Sequence, residues 1–441
     1  MWSETIDWLK DARLVARIQE CYGVRIHYAK NCRCRQHDKV VEDARLDSTC
    51  EEEISKKSEN DTRVKGSHRK GEANGYNLVN RKVEGISESN EISSEILGSY
   101  PAGQNPNYTI TNYFWYYLFL FGTELGDEIF YCSFIPFWFW NVDGAVGRRV
   151  VLVWCIIMSI GQALKDVMCW PRPECPPAAR LQSKWSQEYG MPSTHAMVGI
   201  SIPFGVVLYT MNRYAYSTTI GWTIACAWCA LVGMSRLYLG MHTVLDILAG
   251  LMLAVLLMIP LVPLIDLTDY FIVSNIWALT VLVGITVATV VYYPTGKKWT
   301  PTRGDTAMVV SVTAGVHVGA WLNFQMGIMI PPTVPPPYHI IWPTYFQLGR
   351  IIIRTVLGFC GIIATRVISK SLIYGIMCAI LRVNTKELKE SKDYTTNKHK
   401  VLVDLVHKYV SCFLIGFNTV YLLPNVFNML GIERQTFYTE I

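Results

Sequence analysis

Charge is scarce in this chain. Only 17% of its 441 residues are Asp, Glu, Lys or Arg, while 51% are apolar and the mean hydropathy is +0.22. A soluble enzyme carries charge on about a quarter of its residues. The first hundred residues are polar, so the apolar content is concentrated beyond Tyr113. That distribution argues against two or three soluble domains and for one multi-span membrane domain behind a polar N-terminal segment. The net charge of +5 is small and spread out. It gives no electrostatic footprint for a nucleic acid, and none is expected as a partner.

Paired cysteine motifs are also missing. Of thirteen cysteines, only Cys21, Cys32, Cys34 and Cys50 cluster in polar sequence, without C-x2-C units, and His27 and His37 complete no zinc pattern. No metal site is expected; these are free thiols or lumenal disulfides. The cysteines inside apolar runs read as small buried hydrophobes. The N-terminus has no uninterrupted apolar centre of the kind a signal peptide needs. Trp2, Ile6, Trp8, Leu9, Leu14, Val15 and Ile18 recur among charges at helical spacing, which predicts an amphipathic helix over 1–30, lying on a membrane or on the main domain.

What is present divides the rest of the chain. Residues 31–110 are rich in Glu, Lys, Ser, Asn and Arg, a composition that cannot bury enough surface to order itself, so this stretch reads as a largely disordered linker. It contains two glycosylation sequences, Asn60-Asp61-Thr62 and Asn107-Tyr108-Thr109. Residues 111–441 read as an all-α, polytopic membrane bundle of about nine transmembrane helices. The spans are expected near 113–138, 148–169, 192–211, 217–236, 241–264, 272–293, 306–330, 350–374 and 409–431. In the first, Glu124, Asp127 and Glu128 either share a helical face turned into the bundle or mark a break between two half-spans.

Three polar islands interrupt the apolar runs between Lys165 and Asp246. They are Lys165 to Pro173, Met191-Pro192-Ser193-Thr194-His195, and Ser235-Arg236 through His242 to Asp246. Polar groups at membrane depth are expensive and usually functional. Topology brings them together. The second span ends at the first island, a loop leads to the second, and the third span leaves this face while the fourth returns to it at Arg236. All three therefore meet at one end of a catalytic core over 148–264.

The residue types fit a phosphate monoester. Lys165, Arg172 and Arg236 supply fixed positive charge for the phosphoryl oxygens. Ser193 and Thr194 at a helix start offer backbone N–H groups to an anion. His242 and Asp246 lie four apart on one helical face, so the carboxylate can hold the imidazole while the other nitrogen attacks phosphorus. His195 is left as the acid for the leaving alkoxide and the base for water. Taken singly, each is weak: a lone membrane-edge Arg or Lys is more often a snorkelling anchor, and a lone helix-edge histidine is usually structural. Their conjunction at matching topological positions makes the site.

These residues resemble the type 2 phosphatidic acid phosphatase superfamily, whose signature is K-x6-R-P, P-S-G-H and S-R-x5-H-x3-D. Lys165, Arg172 and Pro173 match the first motif, Pro192, Ser193 and His195 the second, and Ser235, Arg236, His242 and Asp246 the third. Thr194 departs from the glycine of the second, keeping its N–H but crowding the pocket with a Cβ. With that threonine, the strings around it resemble sphingosine-1-phosphate phosphatases. So do Phe121-Gly122-Thr123-Glu124-Leu125-Gly126 and Thr302-Arg303-Gly304-Asp305-Thr306-Ala307.

The resemblance covers residue 110 to the C-terminus. It implies a metal-independent phosphoric monoester hydrolase of the endoplasmic reticulum membrane, without cofactor, acting on phosphorylated sphingoid bases through a phosphohistidine on His242. It also implies a lumenal catalytic face. The positive-inside count is divided: Arg148, Arg149 and Arg213 lie opposite the site, whereas Lys297, Lys298, Arg303 and the lysines of 382–408 lie on its own side. Island spacing leaves open a phosphatase of other lipid or sugar phosphates. A lipid transporter or catalytically silent binding protein fits less well, because both histidines and Asp246 are present together and no paired interrupted spans recur in two halves.

Overall fold

The computed structural model describes residues 2–27, 105–294, 296, 300–330, 332, 334–390 and 397–440. Most of the expected linker, with Asn60, Cys32, Cys34, Cys50, Lys297 and Lys298, lies outside the described residues. Helices dominate. In chain order they are α1 (Trp2–Leu9), α2 (Ala12–Cys21), α3 (Tyr113–Glu124), α4 (Glu128–Asn141), α5 (Gly144–Met168), α6 (Thr194–Thr210), α7 (Thr218–Tyr238) and α8 (Val244–Ser274). There follow α9 (Ile276–Val291), α10 (Thr302–Gln325), α11 (Tyr345–Leu381), α12 (Thr385–Glu390), α13 (Lys398–Phe417) and α14 (Leu423–Met429), the last two joined by a π-helical turn at Asn418–Leu422. Two short ribbons complete the fold. β1 (Val24–His27) pairs antiparallel with β2 (Asn107–Ile110), Val24 opposite Ile110, and β3 (Tyr214–Ala215) pairs parallel with β4 (Tyr338–His339).

Among the described residues, six helices are long and apolar enough to cross a membrane: α5, α7, α8, α10, α11 and the continuous α13–α14 rod. α6 and α9 are shorter apolar helices occupying expected spans. The first expected span is interrupted. α3 stops at Glu124, and Asp127 caps a new helix by accepting the Glu128 N–H at 2.7 Å. This is the half-span alternative, and it has a physical reason: the Asp127 carboxylate satisfies a helix-start donor that a continuous helix would not expose. α8 and α11 run further than expected, to Ser274 and from Tyr345 to Leu381.

Burial sorts the helices into centre and rim. α6 is buried nearly all round, from Thr194 to Thr210, between α5, α7 and α8. The main core joins Val150, Val153, Ile157, Met197, Ile202, Ala254, Ala307 and Val310. α8, α9 and α11 instead expose Leu256, Leu267, Ile285, Ile353 and Ile363. An apolar band of this kind belongs in hydrocarbon. The N-terminal helices pack on the main domain. Gln19 of α2 is fully buried, donates to Ala179 O (2.7 Å) and Tyr238 O (2.8 Å), and accepts the Ala179 N–H (3.0 Å). It therefore anchors the loop between α5 and α6 to the end of α7.

Candidate active site

Each island sits where a helix starts or stops, so backbone capping and side-chain chemistry share the same residues. α5 ends with Lys165 in its last turn and Cys169 in the left-handed conformation. α6 begins with Ser193 as its cap. α7 closes through Gly240 at φ +67°, with Met241 N–H donating to Arg236 O at 3.1 Å. This is a glycine-terminated reversal that only a residue without Cβ adopts at no cost. It turns the chain back at once, and His242 follows beside Arg236. α8 then starts with a reciprocal cap: Thr243 Oγ1 accepts from Asp246 N (3.2 Å), and Asp246 Oδ2 accepts from Thr243 N (2.8 Å).

The expected residues converge. Lys165 Nζ donates to Thr194 Oγ1 at 2.9 Å. Arg172 Nη1 donates to Met241 O at 2.8 Å, next to His242, and its Nε donates to Glu188 O at 2.8 Å. Ser193 N–H donates to Asp246 O at 3.1 Å, binding the second island to the third. Lys165, Ser193, Arg236, His242 and Asp246 are all 0% exposed, and His195 is 9% exposed. Desolvation brings the Arg172 guanidinium down to about 10, an effect that Glu188 opposes, so it stays cationic at neutral pH. Burial, then the positive charges of Arg172, Arg236 and Lys165, hold the His242 imidazole well below its ordinary value. His242 is therefore neutral and its lone pair available.

Two contacts differ from expectation. His242 Nδ1 stands 3.7 Å from Asp246 Oδ2, beyond hydrogen-bond range, because that oxygen is held by the α8 cap. Both imidazole nitrogens are without hydrogen-bond partners among the described residues, as are Nε and Nη2 of Arg236. Ser193 N–H is not free for an anion, since Asp246 O accepts it; the first turn of α6 must offer the N–H groups after it.

Sequence reasoning missed several participants. Glu188 is buried and accepts from Lys165 Nζ at 2.7 Å, with Arg172 Nη2 at 4.0 Å. Arg236 Nη1 donates to Thr123 Oγ1 at 2.6 Å and Gln182 Oε1 at 3.1 Å. Glu188 and Gln182 lie in the irregular loop between α5 and α6, where no periodicity marks them. Thr123 carried a signal, since it belongs to the Phe121–Gly126 string. Thr194 is accommodated by Gly161 of α5, where a Cβ would lie 3.3 Å from Thr194 Cγ2 and 2.7 Å from Met197 Sδ. Beside His195, Glu188 and Thr194, a cavity runs between α4, α5, α10, α11 and α13 as far as Val151, Val316 and Ile415. The stretch of α5 from Gln162 to Val151 on its wall spans about 16 Å.

The PAP2 superfamily model matches residues 147–268, the segment that holds all three islands. Sphingosine-1-phosphate phosphatase 1 of Rattus norvegicus is 36% identical over 72% of this chain and 73% of its own length. Sphingosine-1-phosphate phosphatase 2 of Homo sapiens is 34% identical over 75% of this chain and 82% of its own. Lipid phosphate phosphatase delta of Arabidopsis thaliana is more distant, at 28% over 55% and 59%. No solved structure matches the chain significantly. With this identity over about three quarters of both chains, the chain belongs to the sphingosine-1-phosphate phosphatase family of the PAP2 superfamily.

Proposed function

We propose that the protein hydrolyses sphingosine 1-phosphate and related sphingoid-base phosphates to the free base and inorganic phosphate. The observation that carries this reading is a surplus of buried cations around a neutral His242 whose ring nitrogens have no hydrogen-bond partner among the described residues. The substrate dianion docks against Lys165, Arg172 and Arg236 and the N–H groups of the first turn of α6. An imidazole nitrogen of His242 attacks phosphorus, a P–N bond forms, and the P–O bond to the sphingoid C1 oxygen breaks. His195, which takes up a proton as the substrate dianion docks beside it, gives that proton to the leaving oxygen. Water then attacks the phosphohistidine, losing a proton to His195, and phosphate leaves. Asp246, 3.7 Å from His242 Nδ1 and tied into the α8 cap, moves onto Nδ1 as positive charge develops.

The three cations supply the charge neutralisation for which many phosphatases use a metal, so the reaction is metal-independent and needs no cofactor. The cavity beside His195 takes the alkyl tail, and the bilayer delivers the substrate. The site faces the lumen of the endoplasmic reticulum. The sequence Asn107-Tyr108-Thr109 provides a reporter for that face. Asn107 is exposed in β2, and Asn105 just before it binds Arg180 O (2.7 Å) in the site's own loop. Deglycosylation that shifts gel mobility in Asn60→Gln but not in the Asn60→Gln, Asn107→Gln double variant supports a lumenal site, and a cytosolic tag on the site's face contradicts it.

The test of the activity uses purified full-length protein with a panel of sphingosine 1-phosphate, glycerol-based lipid phosphates and glucose 6-phosphate, with and without chelator. Phosphate release from sphingosine 1-phosphate should dominate and survive chelation. His242→Ala should lower it by at least about 10³-fold. Retained turnover in that variant would remove His242 as the nucleophile.

A further inference from the structure

The cavity beside His195 has a charge pattern that phosphate binding alone does not explain. Four carboxylates line it, Asp127, Glu128, Glu188 and Asp305, against one arginine, Arg366. A site for a dianion gains nothing from neighbouring acids, since like charges repel most strongly where water is excluded. Two of the four are committed. Asp127 caps α4 and accepts from Lys184 Nζ at 2.8 Å, and Glu188 is paired with Lys165. Glu128 is exposed at the start of α4.

Asp305 is different. It stands in the first turn of α10, inside the Thr302–Ala307 string that the phosphate chemistry leaves unused. It is 7% exposed. Its Oδ1 meets Lys408 Nζ at 3.3 Å, but its Oδ2 has no hydrogen-bond partner among the described residues. A buried carboxylate oxygen left without a donor is unfavourable. A ligand that fills this cavity and brings a donor would relieve that cost. The phosphate has its own cations elsewhere, and the remaining wall is mainly apolar side chains such as Val309, Val312 and Ile415. The ligand that fits carries an anion, a nearby cation and a long tail.

We infer that Asp305 is the ammonium subsite, receiving the protonated amine next to the phosphate-bearing carbon of a sphingoid-base phosphate. It thereby determines specificity against glycerol-based lipid phosphates, which carry no cation there. This rests on the sphingoid reading above. In the free protein Lys408 shares the carboxylate; in the complex the substrate amine occupies its unpartnered oxygen.

The experiment measures kcat and KM of the purified full chain in nanodiscs on three lipids: sphingosine 1-phosphate, its N-acetyl derivative, and lysophosphatidate. Wild type should prefer the free amine over both others. Asp305→Asn should lower the kcat/KM ratio of sphingosine 1-phosphate to lysophosphatidate by about 10–100-fold, mainly through KM, as expected for one lost charge-assisted contact. Asp305→Glu and Lys408→Met should both keep the preference. On the N-acetyl lipid, Asp305→Asn should cost no more than it does on lysophosphatidate. An Asp305 needed only for Lys408 or the start of α10 would slow all three lipids alike, and that result, or an unchanged ratio, overturns the subsite while the sphingoid reading stands. A wild type with no preference for the free amine overturns both.

Discussion

The two polar ends of the bundle hold buried cations in opposite ways. At the end where α5 begins, Arg148, Arg149, Arg213 and Arg434 meet Asp269, Asp266, Asp143 and Glu440 respectively, and only the buried Arg354, which donates to Asn141 Oδ1 and Ile432 O, has no carboxylate within 4.0 Å among the described residues. Arg148 makes the pairing a fork, with Nε and Nη2 on the two Asp269 oxygens at 3.2 and 3.0 Å. At the end where α5 finishes, Lys165 and Arg172 share Glu188, and Arg236 has no carboxylate within 4.0 Å among the described residues. Their other donors go to backbone carbonyls, a side-chain amide and hydroxyls. A balanced end holds helices together. An unbalanced end keeps its charge for an arriving anion, and the neutral His242 stands within that field.

Removing charge from the unbalanced end should have the largest effect on turnover. Arg236→Ala should reduce kcat/KM for phosphate release by about 10²–10³-fold, the magnitude of losing one preorganised donor to a developing charge. Arg236→Lys should recover little of it, because an ammonium lacks the fork. Activity near wild type in Arg236→Ala would show that the unpartnered guanidinium nitrogens are not used.

A smaller effect follows from the field on His242. Burial and then the neighbouring cations depress its basicity, so the neutral nucleophile persists further into acid than an ordinary imidazole. Arg172→Gln removes one of those charges. The imidazole should then protonate more readily, moving the acid limb of single-turnover phosphoryl transfer to higher pH by up to about one unit. A limb that stays in place, or moves to lower pH, would contradict the electrostatic assignment.

The smallest effect on turnover belongs to the balanced end. Arg148→Met takes the fork from Asp269, leaving it Arg149 Nη2 at 3.6 Å, and should cost up to roughly 3–5 kcal/mol of stability, read as a lower melting temperature, while turnover per folded molecule is retained. Arg148→Met combined with Asp269→Leu should recover most of the loss. Selective damage to kcat in folded Arg148→Met protein would mean that the two ends are coupled and not separate.

The same two ends mark what could be read from the sequence. The islands and their meeting on one face were legible because membrane topology is nearly one-dimensional: apolar runs of known length fix which loops share a side. Lys165, Arg172, Thr194, Arg236 and His242 are therefore where the spans put them. Arg148, Arg149 and Arg213 looked like orientation signals, yet their aspartate partners lie 70 to 121 residues away, and no local pattern announces such pairs. Glu188 and Gln182 sit in a loop without periodicity. The 3.7 Å gap between His242 and Asp246 was hidden for another reason. The i, i+4 rule predicts proximity along a helix, but Asp246 is also the third residue of α8 and its oxygen is drawn into the cap. One side chain with two local roles cannot be resolved by spacing alone.

If the surplus of cations serves phosphoryl transfer to His242, rapid-quench labelling should capture the phosphorylated imidazole. Purified protein is mixed with sphingosine 1-phosphate carrying radiolabelled phosphate and quenched in alkali within the first turnover. Label should appear on the protein, stable in base and labile in acid, located on the peptide holding His242, and absent from His242→Ala. Phosphate release with no such adduct, or label on another residue, would contradict it.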